Sequence, residues 1–106
     1  MANEQDWIEA ARQGDVEAWE QLVGAHQQSI FRLAYLFLGD ADDAEDIAQE
    51  TFIRAYRALN RFDSSRPIRP WLMRIGVNLC HNWSRNLKRY MNALQNALRA
   101  EPLLGS

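Results

Sequence analysis

Between residues 74 and 89 the chain places Arg74, Asn78, His81, Asn82, Arg85, Lys88 and Arg89 at steps of one, three and four residues. At about 100° per residue, those steps gather the seven side chains on one face of a helix. The chemistry of such a face is binding. Guanidinium and ammonium groups neutralise phosphates, and carboxamides carry a donor and an acceptor together, which suits the edges of bases. The preceding segment DSSRPIRP adds Arg66 and Arg69. No carboxylate side chain occurs between Ser64 and Ala100, so the cations there lack local partners along the chain.

A second constellation is apolar. Over the stretch from Asp40 to Phe62, Ala44, Ile47, Ala48, Thr51, Phe52, Ala55 and Leu59 share one arc and read as a core face. Asp46, Gln49, Glu50 and Arg57 share the opposite arc, with Ile53 in their midst. Single exposed apolar residues are common on protein surfaces. The sharper reading is an anchor residue with a polar rim, the pattern of a protein docking site.

The sequence supplies little for catalysis. His26 and His81 are far apart in sequence, and the adjacent pair Cys80 and His81 fits no common zinc spacing. The acidic run at Asp40, Asp42, Asp43, Glu45 and Asp46 lacks the central glycine and terminal glutamate of a calcium loop. It complements the positive end of a helix dipole more simply. No phosphate-cradling glycine loop or nucleophile motif is present, so neither a cofactor nor a metal is expected.

The elements that carry these faces follow from breaks and caps. Asn3 or Asp6 caps a short first helix ending near Gln13. Gly14 and Asp15 break and restart the chain, and a long helix is predicted from about Val16 to Leu38. Its last turns are apolar almost all round, which predicts burial there. Gly39 closes it and Asp40 caps the next helix, predicted to run to Phe62. The segment Asp63 to Pro70 reads as a loop, with Pro70 opening the last helix. Along that helix Trp71, Leu72, Ile75, Leu79, Trp83 and Leu87 form an apolar stripe, and Gly76 marks a close approach by another helix. Residues 91–106 either continue this helix or begin a linker, with Pro102 and Gly105 as stops. The fold class is all-α, a compact bundle of three to four helices.

The 106 residues suffice for one small core. The net charge of −2 conceals a sorting. Residues 1–53 carry 12 acids and 2 bases, whereas residues 54–100 carry 1 acid and 10 bases. A basic half points to an anionic partner, or to neutralisation within the fold. One cysteine excludes an internal disulfide and fits a reducing cytosol. The first residues lack a signal-peptide pattern, and the apolar run Ile30 to Leu38 is broken by Arg32 and too short to span a bilayer. The expected location is the cytoplasm, without membrane insertion.

Taken together, DADDAEDIAQETFIRAYRAL, the loop that starts at Phe62, and WLMRIGVNLCHNWSRNLKR resemble the second conserved region of bacterial sigma factors of the extracytoplasmic-function (ECF) group. GDVEAWEQLVGAHQQSIFRLAYLFLGD resembles the first helices of the same region. The resemblance implies that Asp46, Gln49, Glu50 and Ile53 contact the clamp coiled coil in the largest catalytic subunit of core RNA polymerase, with Arg57 beside them. It further implies that the loop and last helix recognise and melt the promoter minus-ten element and hold a base flipped from the non-template strand. Phe62, Ser64, Ser65, Arg66, Arg69, Arg74, Asn78, Asn82, Arg85, Lys88 and Arg89 would then meet DNA.

Asn82 stands where the family often has Asp, which keeps hydrogen bonding and removes a charge. Complete ECF factors carry a second helical domain, so the expectation is that residues 1–90 are one domain of a longer protein and 91–106 the start of an interdomain linker, with a naturally short relative as the alternative. The alternative from a different class is a helical interaction module whose basic face binds an acidic protein, such as an anti-sigma factor. An enzyme is a third class, for which no catalytic constellation speaks.

Overall fold

The computed structural model describes residues 3–100, and the expected stops at Pro102 and Gly105 lie outside them. Four helices make up the described chain: α1 (Glu4–Arg12), α2 (Val16–Leu38), α3 (Ala41–Ala58) and α4 (Ile68–Ala100), with a single 3-10 turn at Leu59–Arg61. No strand occurs among the described residues.

The starts of the first three helices follow local capping chemistry. Asn3, rather than Asp6, caps α1: its side chain accepts from the Asp6 N–H at 2.9 Å, and the Asp6 carboxylate accepts from the Asn3 N–H at 3.3 Å. This reciprocal pair is a capping box. Asp15 accepts from the Ala18 N–H at 3.2 Å and Asp40 from the Asp43 N–H at 2.9 Å. Gly39 ends α2 at φ 72°, a left-handed conformation that suits glycine, and donates its N–H to the Tyr35 carbonyl at 2.8 Å.

α2, α3 and α4 pack against one another, and α1 covers one end against α2 and the 3-10 turn. The arc expected for α3 is the buried one: Ala44, Ile47, Ala48, Thr51, Phe52 and Ala55 all lie inside. Gly76 sits where α4 crosses this arc. A Cβ there would stand 3.4 Å from Thr51 Oγ1, whose hydroxyl donates to the Ile47 carbonyl at 2.7 Å.

Four boundaries or faces differ from the sequence reading. α3 ends at Ala58 rather than Phe62, because the next carbonyls are drawn off by a side chain from α1, described below. α4 starts at Ile68, two residues before Pro70. Proline is tolerated there because first-turn N–H groups have no helical partner. The end of α2 is not buried all round: Leu36 is 82% exposed, and Tyr35 and Phe37 are also exposed. Leu87 lies outside the core, because α4 runs past the bundle at Trp83 and, among the described residues, nothing covers its far side. From Leu87 to Ala100 every residue is exposed. The helix of 33 residues gives the molecule extents of 72 × 23 × 21 Å.

Candidate functional site

Ile53 stands on the outer face of α3 and is 45% exposed. Asp46, Gln49 and Arg57 are exposed around it and Glu50 is half-buried, with its carboxylate 3.1 Å from Arg54 Nε. The structure adds what helical periodicity along α3 could not show. Ile53 is a ridge between two hollows. One, of about 640 Å³, lies between α2 and α3 and includes Val23, Gln27, Phe31, Gln49 and Phe52. The other, of about 420 Å³, includes Val16, Trp19, Tyr56 and Arg57. The steps Val23, Gln27 and Phe31 on α2 are the signal that would have found the first hollow. A surface of this shape can seat a helical partner on an apolar anchor.

Asp43, nearer the start of α3, has its carboxyl raised above the ordinary 3.8, first by lost hydration and then by Asp40, Asp46 and Asp42. The acidic run therefore meets its own repulsion, which the helix dipole partly offsets. Among the described residues no group of histidines, cysteines and carboxylates is arranged to hold a metal.

The loop and α4 form the second site. Arg61, Phe62, Asp63, Arg66, Pro67, Pro70, Trp71 and Arg74 surround a hollow of about 390 Å³. This lies toward the small end of ligand pockets, roughly 300–1,000 Å³. Three arginines face one carboxylate around it, and that carboxylate is engaged. The Ser65 hydroxyl and N–H both donate to Asp63 Oδ1, at 2.6 and 3.0 Å, and Arg66 Nε lies 3.6 Å from Asp63 Oδ2. Those bonds, led by the one from the Ser65 hydroxyl, hold the Asp63 carboxyl below the ordinary 3.8.

Phe62, which the resemblance places at DNA, is not a free ring: it is 7% exposed and packs on Trp71 with ring centroids 4.7 Å apart. It belongs to the wall of the hollow. Ser64 is also turned away: it is bonded to α1 through its carbonyl and its hydroxyl. Ser65 serves Asp63, and Arg69 reaches Ser29 on α2 instead of the hollow.

Further along α4, Asn78, His81, Asn82 and Arg85 line one shallow depression, and Arg85 donates to the Asn82 side-chain oxygen. Asn82, Arg85, Asn86 and Arg89 also flank a groove against α3 that includes Arg54. The sequence reading missed Arg54 and Asn86 in this group. Among the described residues, Arg74, Lys88 and Arg89 have no carboxylate within ion-pair distance. The basic face is thus a solvated surface with unspent charge.

The described residues thus form a helical bundle with an apolar ridge on one side and a basic hollow and helix on another. Residues 22–90 match the Sigma-70 region 2 family, and the chain belongs to it. The resemblance drawn from the two motifs around Ile53 and Trp71 therefore holds. Over 72 residues the chain is 43% identical to the ECF RNA polymerase sigma factor SigW of Bacillus subtilis, covering 68% of this chain and 38% of that protein. Over 93 residues it is 38% identical to the RNA polymerase sigma factor CnrH of Cupriavidus metallidurans, covering 88% and 47%.

Among solved structures, an engineered region 2 of sigmaE in complex with GTAAAA matches with a TM-score of 0.78 at 35% identity, covering 84% of this chain and 93% of that one. CnrH in complex with the cytosolic domain of CnrY matches with a TM-score of 0.70 at 35% identity, covering 74% and 51%. The chain spans less than half the length of these two curated relatives.

Proposed function

We propose that this chain is the region-two domain of an ECF-group sigma factor, that it docks on core RNA polymerase through the Ile53 ridge, and that it captures unpaired non-template DNA of the promoter minus-ten element. Residues 1–90 form the working domain, and its place of action is the cytoplasm. The observation that carries the reading is the hollow at the loop: Arg61, Arg66 and Arg74 surround it, and the one carboxylate among its described lining residues is already bonded. The relative of known structure bound to GTAAAA supports a DNA ligand for this kind of fold.

The mechanism is binding, not catalysis. Interaction energy available only with a splayed, unpaired base favours the open strand over the duplex. Unpairing costs a few kcal/mol, more than one or two held bases and a few phosphate contacts on this small surface supply alone. Polymerase docking contributes the remainder, so the isolated domain binds DNA weakly. Asn78, Asn82, Arg85, Lys88 and Arg89 extend the DNA-facing surface along α4.

The test is capture of bacterial core RNA polymerase by the intact chain, with Ile53→Glu beside it. Wild type binds and the variant does not. A folded wild type that ignores polymerase would defeat this reading.

A second partner class has its own support. Leu36, Tyr35 and Phe37 are exposed at the end of α2, and CnrH, a relative, is bound by the cytosolic domain of CnrY. An anti-sigma protein covering such residues, or an acidic one on the basic face, is compatible with the first role. Arg85→Ala with Lys88→Ala separates them: loss of single-stranded DNA capture marks the face as a DNA site, and loss of protein binding alone marks it as a protein site.

A further inference from the structure

Helix α1 makes an unusual set of contacts with the loop that leads into α4. Arg12 Nε donates to the Leu59 carbonyl at 3.1 Å, and the same guanidinium donates to the Phe62 carbonyl. Gln5 Nε2 donates to the Ser64 carbonyl at 2.9 Å, and the Ser64 hydroxyl donates to Glu9 Oε1 at 3.0 Å. The Ile68 N–H, the first of α4, donates to Glu4 Oε2 at 3.1 Å. Glu4 is itself fixed, because His26 on α2 donates from Nε2 to its other oxygen at 2.8 Å. Glu9 Oε1 also holds Arg12 at 2.6 Å.

Four side chains on one short helix thus grip the loop at its start, middle and end. They use the carbonyls of Leu59, Phe62 and Ser64, the Ser64 hydroxyl and the N–H of Ile68. The loop's own hydrogen bonds are short-range: Asp63 with Ser65, the Phe62 N–H to the Leu59 carbonyl at 3.2 Å, and the Arg66 N–H to the Asp63 carbonyl at 3.1 Å. Its attachment to the rest of the fold therefore comes in large part from α1. None of Glu4, Gln5, Glu9 or Arg12 lines the hollow, whereas Arg61, Arg66 and Arg74 do.

We propose that Glu4, Gln5, Glu9 and Arg12 of α1 are positioning residues for single-stranded DNA capture, holding the 59–68 loop in the shape that keeps the arginine-lined hollow open. This deepens the DNA-capture reading and rests on it. A loop held by side chains of its own protein places less of its ordering cost on binding. Freeing even one loop residue returns a cost equivalent to roughly tenfold in affinity. The link also gives a role to a segment that lies ahead of the matched family residues 22–90.

The experiment uses the intact chain and a single-stranded DNA oligomer that wild type itself enriches from a random-sequence library. Gln5→Ala and Arg12→Lys are compared with wild type and with Arg74→Ala. The readouts are affinity for that oligomer, affinity for core polymerase, and amide exchange of residues 62–68. The expected result is faster exchange in the loop and about tenfold weaker DNA binding for both α1 variants, with polymerase affinity unchanged. A merely structural role would lower both affinities together, and that result overturns the proposal. So does unchanged DNA binding in both α1 variants while Arg74→Ala weakens it, which leaves the DNA reading standing. If wild type enriches no oligomer even with core polymerase present, or Arg74→Ala binds as wild type does, the base-capture reading fails and the positioning role falls with it.

Discussion

The ridge on α3 and the loop before α4 solve the problem of presenting a surface in opposite ways. Ile53 is held by the helix that carries it. The opposite arc of α3 is buried from Ala44 to Ala55, so the ridge needs no further support. The loop has only short-range bonds of its own and is tied to the fold by side chains arriving from 47 to 64 residues away in sequence. A surface built on a packed helix tolerates change in its surroundings. A surface built on a borrowed shape is as sensitive as its most distant donor.

The largest perturbation should erase this contrast. Leu72 is 1% exposed at the junction of α4 with the core, and Leu72→Ala is expected to lower stability by about 2–5 kcal/mol. Denaturant unfolding would show it, and both surfaces would fail together. Retention of full stability would mean that the bundle does not depend on the start of α4.

Ile53→Glu sharpens the contrast instead. Polymerase affinity should fall by at least about 2 kcal/mol, the scale of an interface anchor, with the thermal midpoint nearly unmoved because the residue is half exposed. Binding measured by fluorescence anisotropy and unfolding measured by circular dichroism separate the two. Arg74→Ala should act on the other surface alone. It should weaken single-stranded DNA binding modestly and reduce the salt slope by about 0.7 if it meets one phosphate. An unchanged slope would take Arg74 out of the phosphate contacts.

The smallest effect concerns pH. Asp63 has a lowered carboxyl pKa in the fold, chiefly through the Ser65 hydroxyl and then the Ser65 N–H. A carboxyl depressed on folding contributes its stability above the ordinary value of 3.8, and loses it as pH falls through the folded value. The Ser65 amide should therefore lose protection from exchange below that range, while amides of α3 around Ala55 keep theirs. Asp63→Asn should remove this pH dependence. Equal loss in both places would mean global acid unfolding rather than a loop event.

The same contrast explains what could be read from the sequence. The buried arc of α3, the αL glycine at 39, the caps Asp15 and Asp40 and the close approach at Gly76 all follow from rules that act within a few residues. The start of α4 did not, because the acceptor of the Ile68 N–H is Glu4 on another helix. The early end of α3 is hidden for the same reason, with Arg12 as the distant donor. The burial of Phe62 was not legible because its packing partner Trp71 lies across the loop, on another helix. Leu36 and Leu87 misled because an apolar stripe reports preference for burial, not the presence of something to cover it.

Gly76 sets a relation between the two surfaces that neither has alone. With no Cβ between them, α4 lies directly on Thr51 of α3. The ridge at Ile53 is two residues from that contact and the basic face begins two residues from it, at Arg74 and Asn78. The contact works as a gauge block, setting one fixed spacing between the Ile53 ridge and the basic face of α4.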